Sequence, residues 1–391
     1  MPIKGPLTGI RLIDLSQGTG GGPYSTQLLG DLGVEVIKVE PPQGEISRDM
    51  SAGDSGGTDF VSLNRNKKSV VIDLNTNSGR QALHDLVRLS DVVVDNFDKG
   101  ILEDLEIDYE KIRQLNPKII SASIVGYGSS GPHANDAVYD HMAQAISGMA
   151  SICGEIDGKP IVQPTLIAEH TAGGDLAYGI IAALYERERT GVGRRLEVNL
   201  IHSCMGVMLM PLQFSLMVGM DPPPQGTRDP GTPILGFYRC KDGKYLAVGP
   251  SWPRIARVLD MEWMIDDPQW DNTAARAFLK PLMCDLLERE GFQKADAEDW
   301  LEILRAEDIP SSWLNTLDEV VKDPQVIHNK AVISMHHTKY GDVQGINCPI
   351  SLVGTTEGEH SPPPILGENT EDILRDILCY SDDKLAELRK T

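Results

Sequence analysis

The sequence has no closely spaced cysteine pair. Its six cysteines, Cys153, Cys204, Cys240, Cys284, Cys348 and Cys379, are scattered, with no Cys-x-x-Cys unit and no histidine partner at metal-ligand spacing. That pattern excludes a disulfide framework and a zinc site and leaves buried, reduced thiols. Basic side chains are also in short supply: 57 acidic residues stand against 36 basic ones, a formal net charge of -21. Such a surface repels nucleic-acid phosphates and anionic lipid, so neither nucleic acid nor a membrane is an expected partner. Long apolar runs are missing too. The stretch 205–220 is short and broken by Pro211, Gln213 and Ser215, which argues against a membrane span. No basic-then-apolar leader opens the chain, and the expectation is a cytoplasmic protein. What remains is ordinary globular composition: 391 residues, 41% hydrophobic and 24% charged, enough for two domains with a buried core.

The first half alternates two periodicities. Short β-branched runs at 10–15, 34–39, 69–74, 91–96 and 118–125 read as strands, and helical patterns at 24–32, 80–89 and 109–115 separate them. Strand alternating with helix implies parallel neighbours in a doubly wound α/β sheet. A long helix is predicted over 170–189, where Leu176, Ile180, Ala183 and Leu184 recur at helical spacing and Thr190-Gly191 supplies a stop, followed by a strand at 196–200. Composition shifts at Asp221-Pro222-Pro223-Pro224-Gln225-Gly226, a stiff connector that no regular helix can contain. The expected organisation is a large domain begun by 1–220, a linker at 221–233, a small α+β domain at 234–310, and a return linker with the rest of the large domain at 311–391. In the small domain, 236–240 and 245–249 flank the turn Lys241-Asp242-Gly243-Lys244 as a hairpin, with helices at 278–287 and 300–304. A last helical stretch is predicted over 368–388.

Three motifs are weighed and set aside. Gly18-Thr19-Gly20-Gly21-Gly22 after the first strand, with Glu40 after the second, imitates a dinucleotide site, but Pro23 stands where the third glycine belongs. The loop then serves to turn the chain or admit a ligand's backbone. Gly128-Ser129-Ser130-Gly131-Pro132 lacks the Gly-x-Ser-x-Gly spacing of a hydrolase elbow. His336 and His337 lie in an irregular polar stretch and read as solvated surface. Lys67 and Lys68 at a strand start read either as solvated charges or as phosphate partners.

A series of phrases nevertheless resembles the family III coenzyme A transferases in order and spacing. They run from Gly5-Pro6-Leu7-Thr8-Gly9-Ile10-Arg11-Leu12-Ile13-Asp14-Leu15 through Gly22-Pro23, Val36-Ile37-Lys38-Val39-Glu40-Pro41 and Asn64-Arg65-Asn66-Lys67-Lys68-Ser69. They continue with Asp95-Asn96-Phe97, Leu115-Asn116-Pro117, Tyr139-Asp140, Arg187-Glu188-Arg189-Thr190-Gly191 and Leu366-Gly367-Glu368. The resemblance implies a Rossmann-like large domain without a nicotinamide site, a small domain, and a homodimer of interlocked rings. It implies no tightly bound cofactor: coenzyme A and acyl-CoA enter as substrates, with a small carboxylic acid. Coenzyme A would lie over the carboxyl ends of the strands, at Leu74, Asn75, Asn96, Phe97 and Tyr139, with packing of the core as the lesser reading of Leu74 and Phe97.

The family's catalytic carboxylate is an aspartate entering the long helix, and counting back from Arg187-Glu188-Arg189-Thr190-Gly191 puts Glu169 at that position. A carboxylate suits the chemistry because it attacks a thioester, forms a mixed anhydride, and then carries coenzyme A as an enzyme thioester. Backbone N–H groups at that helix start would stabilise the developing charge. Asp175 is the alternative carboxylate. Asp98 and Asp104 stand where the family often carries glycine or a basic side chain, and Lys99 offsets part of their charge. The loop Gly226-Thr227-Arg228-Asp229-Pro230-Gly231-Thr232 is poorer in glycine than its family counterpart. Two other functions share the fold: an acyl-CoA racemase, in which Tyr139 replaces the expected histidine and His141 lies two residues on, and a catalytically silent subunit of a hetero-oligomer.

Overall fold

A computed structural model describes residues 4–50, 57–229, 232–270, 272–352 and 358–388. The chain divides into two compact units, one formed by 1–147, 164–207 and 325–391, the other by 148–163 and 208–324.

The first unit is built on six parallel strands: β1 (Arg11–Asp14), β2 (Glu35–Glu40), β3 (Lys67–Val71), β4 (Val92–Asp95), β5 (Ile120–Val125) and β6 (Arg195–Asn199), in the order β3-β2-β1-β4-β5-β6. Leu12, Ile13, Ile37, Val92, Val94 and Ile120 are fully buried, the near-continuous apolar runs of a sheet covered on both faces. The order reverses between β1 and β4, and ligands of open α/β sheets bind at the carboxyl ends of strands at such a point.

Helices α1 (Gly21–Asp31), α2 (Asn77–Arg88), α3 (Tyr109–Leu115), α4 (Asp140–Ile146) and α5 (Ile167–Thr190) connect these strands. Local sequence explains their ends. Thr76 caps α2 by accepting the Gly79 N–H at 3.0 Å, and Ala82, Leu83, Leu86 and Val87 form its buried stripe. Gly191 ends α5 in the left-handed conformation, φ 69°.

Several boundaries differ from expectation. Helix α1 begins three residues before Tyr24, because glycine and Pro23 read as breakers yet are tolerated in a first turn. Strand β3 starts at Lys67 rather than Ser69; charge hides the start of a strand whose Lys67 is buried. The predicted helix at 368–388 is broken, with Cys379 at φ +54° between Ile373–Ile377 and Asp382–Leu388. The stretch expected to be irregular is a hairpin, β10 (Val332–His337) with β11 (Gly341–Ile346). His336 faces out, 2.8 Å from Asp342, whereas His337 is buried and stacked on Tyr340, so the solvated reading holds for one histidine and fails for the other.

The second unit carries an antiparallel sheet of β7 (Gly236–Arg239), β8 (Tyr245–Val248) and β9 (Ser311–Trp313), the last strand lying beyond Pro310. Its own core gathers Trp270, Phe292, Trp300 and Leu304. The apolar stretch 205–220 falls in helices α6 (Leu200–Val207) and α7 (Leu209–Val218), and α7 buries none of its residues. No single helix among the described residues is long and apolar enough to cross a membrane.

Candidate active site

The loop from β1 into α1 crosses the point where strand order reverses, and side chains hold the backbone of Ser16 and Gln17 at both N–H and carbonyl and that of Gly18 at its N–H. Asp14 accepts the Ser16 N–H at 3.0 Å, and Lys38 Nζ donates to the Ser16 carbonyl at 2.7 Å. Asn96, just past β4, takes Gln17 at both groups: its Oδ1 accepts the Gln17 N–H and its Nδ2 donates to the Gln17 carbonyl, each at 2.9 Å. Glu45 accepts the Gly18 N–H at 2.9 Å. On the helix side, Lys67 Nζ donates to the Pro23 carbonyl at 2.9 Å and to Asp14 at 3.0 Å, and Thr26 Oγ1 donates to Asp14 at 2.8 Å. Lys67 is thus neither a solvated charge nor a phosphate partner. Lys68 pairs with Glu35 at 2.7 Å on the surface. Glu40, in the place of a ribose-binding acid, is buried against Arg48 at 2.6 Å and Ser69 at 2.6 Å.

What the loop presents is the first N–H of α1. Gly21 N–H donates to Glu169 Oε2 at 2.8 Å. The approach requires glycine: a Cβ on Gly20 would lie 2.5 Å from Glu169 Oε2, and one on Gly21 would lie 2.3 Å from the Glu169 carbonyl oxygen. The glycine-rich loop therefore admits a carboxylate of its own chain. Glu169 sits in the first turn of α5 as well, so its charge lies at the positive ends of two helix dipoles.

The backbone N–H of Glu169 is taken by Asp140, whose Oδ2 accepts it at 2.9 Å; the N–H that the Glu169 carboxylate accepts comes from Gly21, on another helix. Asp140 is buried, and its Oδ1 accepts from Gln144 Nε2 at 2.6 Å. It caps α5, whose preceding residue, Leu166, has no capping side chain. Burial pushes the Glu169 carboxyl above the usual glutamate range; the Asp140 charge adds to the rise and the Gly21 N–H opposes it. Burial lowers His170, next in the helix, which lies 5.0 Å from the Tyr24 ring. At the carboxyl end of β4, burial raises Asp95 to about 6, although Ser123 donates to it at 2.7 Å.

The other expected site residues all lie at the carboxyl ends of strands. Leu74 and Asn75 follow β3, with Leu74 packed against the core and Asn75 exposed beside Asp73 at 3.0 Å. Asn96 braces Gln17, Phe97 packs against the core while its N–H points to Asp95 at 3.3 Å, and Tyr139 is 69% exposed just before α4. Asp98 and Asp104 are exposed. Asp175, six residues past Glu169 and so roughly 240° around the helix, accepts from Ser203 at 2.6 Å and faces elsewhere. Pro230 and Gly231 of the small-domain loop lie outside the described residues. Sequence reasoning missed the roles of Asp140, Asp14 and Lys67, although the phrase Tyr139-Asp140 and a glycine run after a first strand were there to be read.

Residues 7–370 match the model of CoA-transferase family III. The chain belongs to this family. Among similar proteins are a mouse succinyl-CoA:glutarate CoA-transferase, 32% identical over 98% of this chain and 89% of the relative, and a formyl-CoA:oxalate CoA-transferase of Streptomyces avermitilis, 30% identical over 98% of both chains. A CAIB/BAIF family protein from Brucella suis has the same fold, with TM-score 0.85 and 29% identity over 96% of this chain and 100% of that one. As a family III CoA-transferase, the chain is an enzyme that moves coenzyme A between an acyl-CoA and a carboxylic acid.

Proposed function

We propose that Glu169 is the nucleophile of this transfer and that the acceptor is a small dicarboxylic acid. The observation that carries the reading is the Glu169 carboxylate set against Gly20 and bonded to the Gly21 N–H. A Glu169 oxygen attacks the acyl-CoA carbonyl, the C–S bond breaks, and coenzyme A leaves as thiolate. The thiolate then attacks the Glu169 acyl carbon of the mixed anhydride, releasing the donor acid and leaving a glutamyl thioester. The acceptor carboxylate repeats both steps in reverse and restores Glu169. The Gly21 N–H, bonded to the carboxylate at rest, meets the oxygen on which charge develops when the thioester is attacked. Coenzyme A would run along the carboxyl ends of the strands past Leu74, Asn75, Asn96, Phe97 and Tyr139. The dicarboxylate class rests on the glutarate and oxalate of the relatives' names.

The working form is an interlocked homodimer in the cytoplasm. The bare apolar helix α7 supports the first, and six cysteines outside any disulfide suit a reducing compartment. Racemase and silent-subunit readings are not favoured, because Tyr139 supplies no imidazole and Glu169 is held with its hydrogen-bond donor in place.

Incubation with succinyl-CoA should leave an adduct on the peptide containing Glu169, trappable with hydroxylamine or borohydride. Glu169→Gln should abolish adduct and turnover while the melting temperature barely moves, and Glu169→Asp should lose about a hundredfold in rate through shortened reach. Full transfer activity in Glu169→Gln would sink the mechanism.

A further inference from the structure

Behind the glycine loop lies a cluster of buried charges that the transfer chemistry does not use. Asp14 at the end of β1 and Lys67 at the start of β3 are both fully buried side chains, 3.0 Å apart, with Lys38 of β2 3.9 Å from the same carboxylate. Between them these groups grip both ends of the β1–α1 loop. Asp14 holds the N–H and hydroxyl of Ser16 on the strand side and the Thr26 hydroxyl in the helix, and Lys67 holds the Pro23 carbonyl in the first turn of α1. The third Lys67 bond goes to Asn64 Oδ1 at 2.8 Å. Burying ion pairs is a poor way to stabilise a fold, since desolvation cancels much of the attraction, but it fixes geometry. Here the geometry fixed is that of the segment ending in the Gly21 N–H.

We infer that Asp14 and Lys67 are positioning residues, a buried clamp that aims the Gly21 N–H at Glu169 and thereby sets the rate of the nucleophilic step. The inference rests on Glu169 being the nucleophile. Neither residue touches substrate, and both act through the loop.

The clamp also gives turnover a pH signature. Lys67 faces Asp14 of β1, Lys38 of β2 and Glu45 in the turn after β2, besides the neutral Asn64 and the Pro23 carbonyl. Burial brings its ammonium down to about 8, against the pull of Asp14. Above that pH the ammonium is lost, and with it the charged grip on Asp14 and Pro23. Because the folded value lies below the unfolded one, the folded state binds fewer protons between the two, and the Lys67 contribution to stability rises with pH across that window. Turnover and stability should therefore move in opposite directions above about pH 8, which a merely structural lysine would not produce.

The test uses the full chain, with succinyl-CoA and glutarate as probes, and follows kcat, KM and melting temperature from pH 6 to pH 10. Amide exchange of the peptide 16–24 is read by mass spectrometry at neutral pH. Wild type should lose kcat above about pH 8 without losing melting temperature. Lys67→Met should lower kcat by about tenfold to a hundredfold at neutral pH, leave KM for succinyl-CoA nearly unchanged, abolish the alkaline limb, and speed exchange in 16–24. Should Lys67→Met fold poorly, the paired variant Asp14→Asn/Lys67→Met removes both charges and should show the same kcat loss and faster exchange. Unchanged exchange in 16–24, or an alkaline limb that persists in Lys67→Met, overturns the clamp. Absence of turnover in wild type with any acid would instead overturn the transferase mechanism, and the exchange measurement would still decide the clamp.

Discussion

Glu169 carries one methylene more than the aspartate its position resembles, and its carboxylate spans from α5 to the start of α1. Asp140 serves it twice, as cap for its backbone N–H and as a nearby negative charge that raises its carboxyl. The two roles separate in Asp140→Asn, whose amide oxygen still accepts the N–H. With the charge gone, Glu169 should ionise at lower pH, and the acidic limb of kcat should move down while the helix start keeps its cap. An acidic limb unmoved in Asp140→Asn would assign that limb to another group. The place of Glu169 in the first turn of α5 was legible in the sequence because a spaced phrase, Arg187-Glu188-Arg189-Thr190-Gly191, fixes the count back along a regular helix. Lys67 was not, because a charged residue at a strand start carries no sign of whether three acceptors wait for it inside.

The first turn of α1 works as a donor only because two glycines let α5 come against it. Gly20→Ala would place a methyl 2.5 Å from Glu169 Oε2. It should cost about a hundredfold in kcat by pushing the carboxylate off its donor, with a far smaller effect on melting. Gly174→Ala, in the same long helix but with open space around it, is the control; it should keep full activity and gain about 0.5–1 kcal/mol of stability. Equal losses in both variants would mean that the Gly20 contact is not special. The strands were legible from their apolar runs, since parallel strands are buried on both faces. The glycine start of α1 was hidden, because the same residues that permit a close approach lower local helix propensity.

The charge of the whole chain, -21, should keep copies apart, yet helix α7 leaves Leu209 71%, Met210 83% and Met217 77% exposed. A helix this rich in apolar residues with none of them buried leaves large apolar side chains uncovered in a lone protomer. Light scattering across a dilution series should find the mass of two chains down to the lowest concentration measured, and a stable folded monomer would remove the interlocked homodimer. The proline connector at 221–226 lies inside the second unit, which the chain enters at 208, and no pattern in the sequence could tell whether the apolar stretch at 205–220 turns inward or outward, since hydrophobicity does not name the surface that covers it.

A bare α7 bears on how the protein is made. If its cover is a second copy, the last step of folding is bimolecular. The yield of refolding should then grow with chain concentration at first, and fall again at higher concentration, where the same exposed methionines and leucines feed aggregation instead. If, further, the two copies interlock, two distinguishable versions of the chain would form mixed pairs only when synthesised or refolded together. Mixing the finished proteins would leave each paired with its own kind.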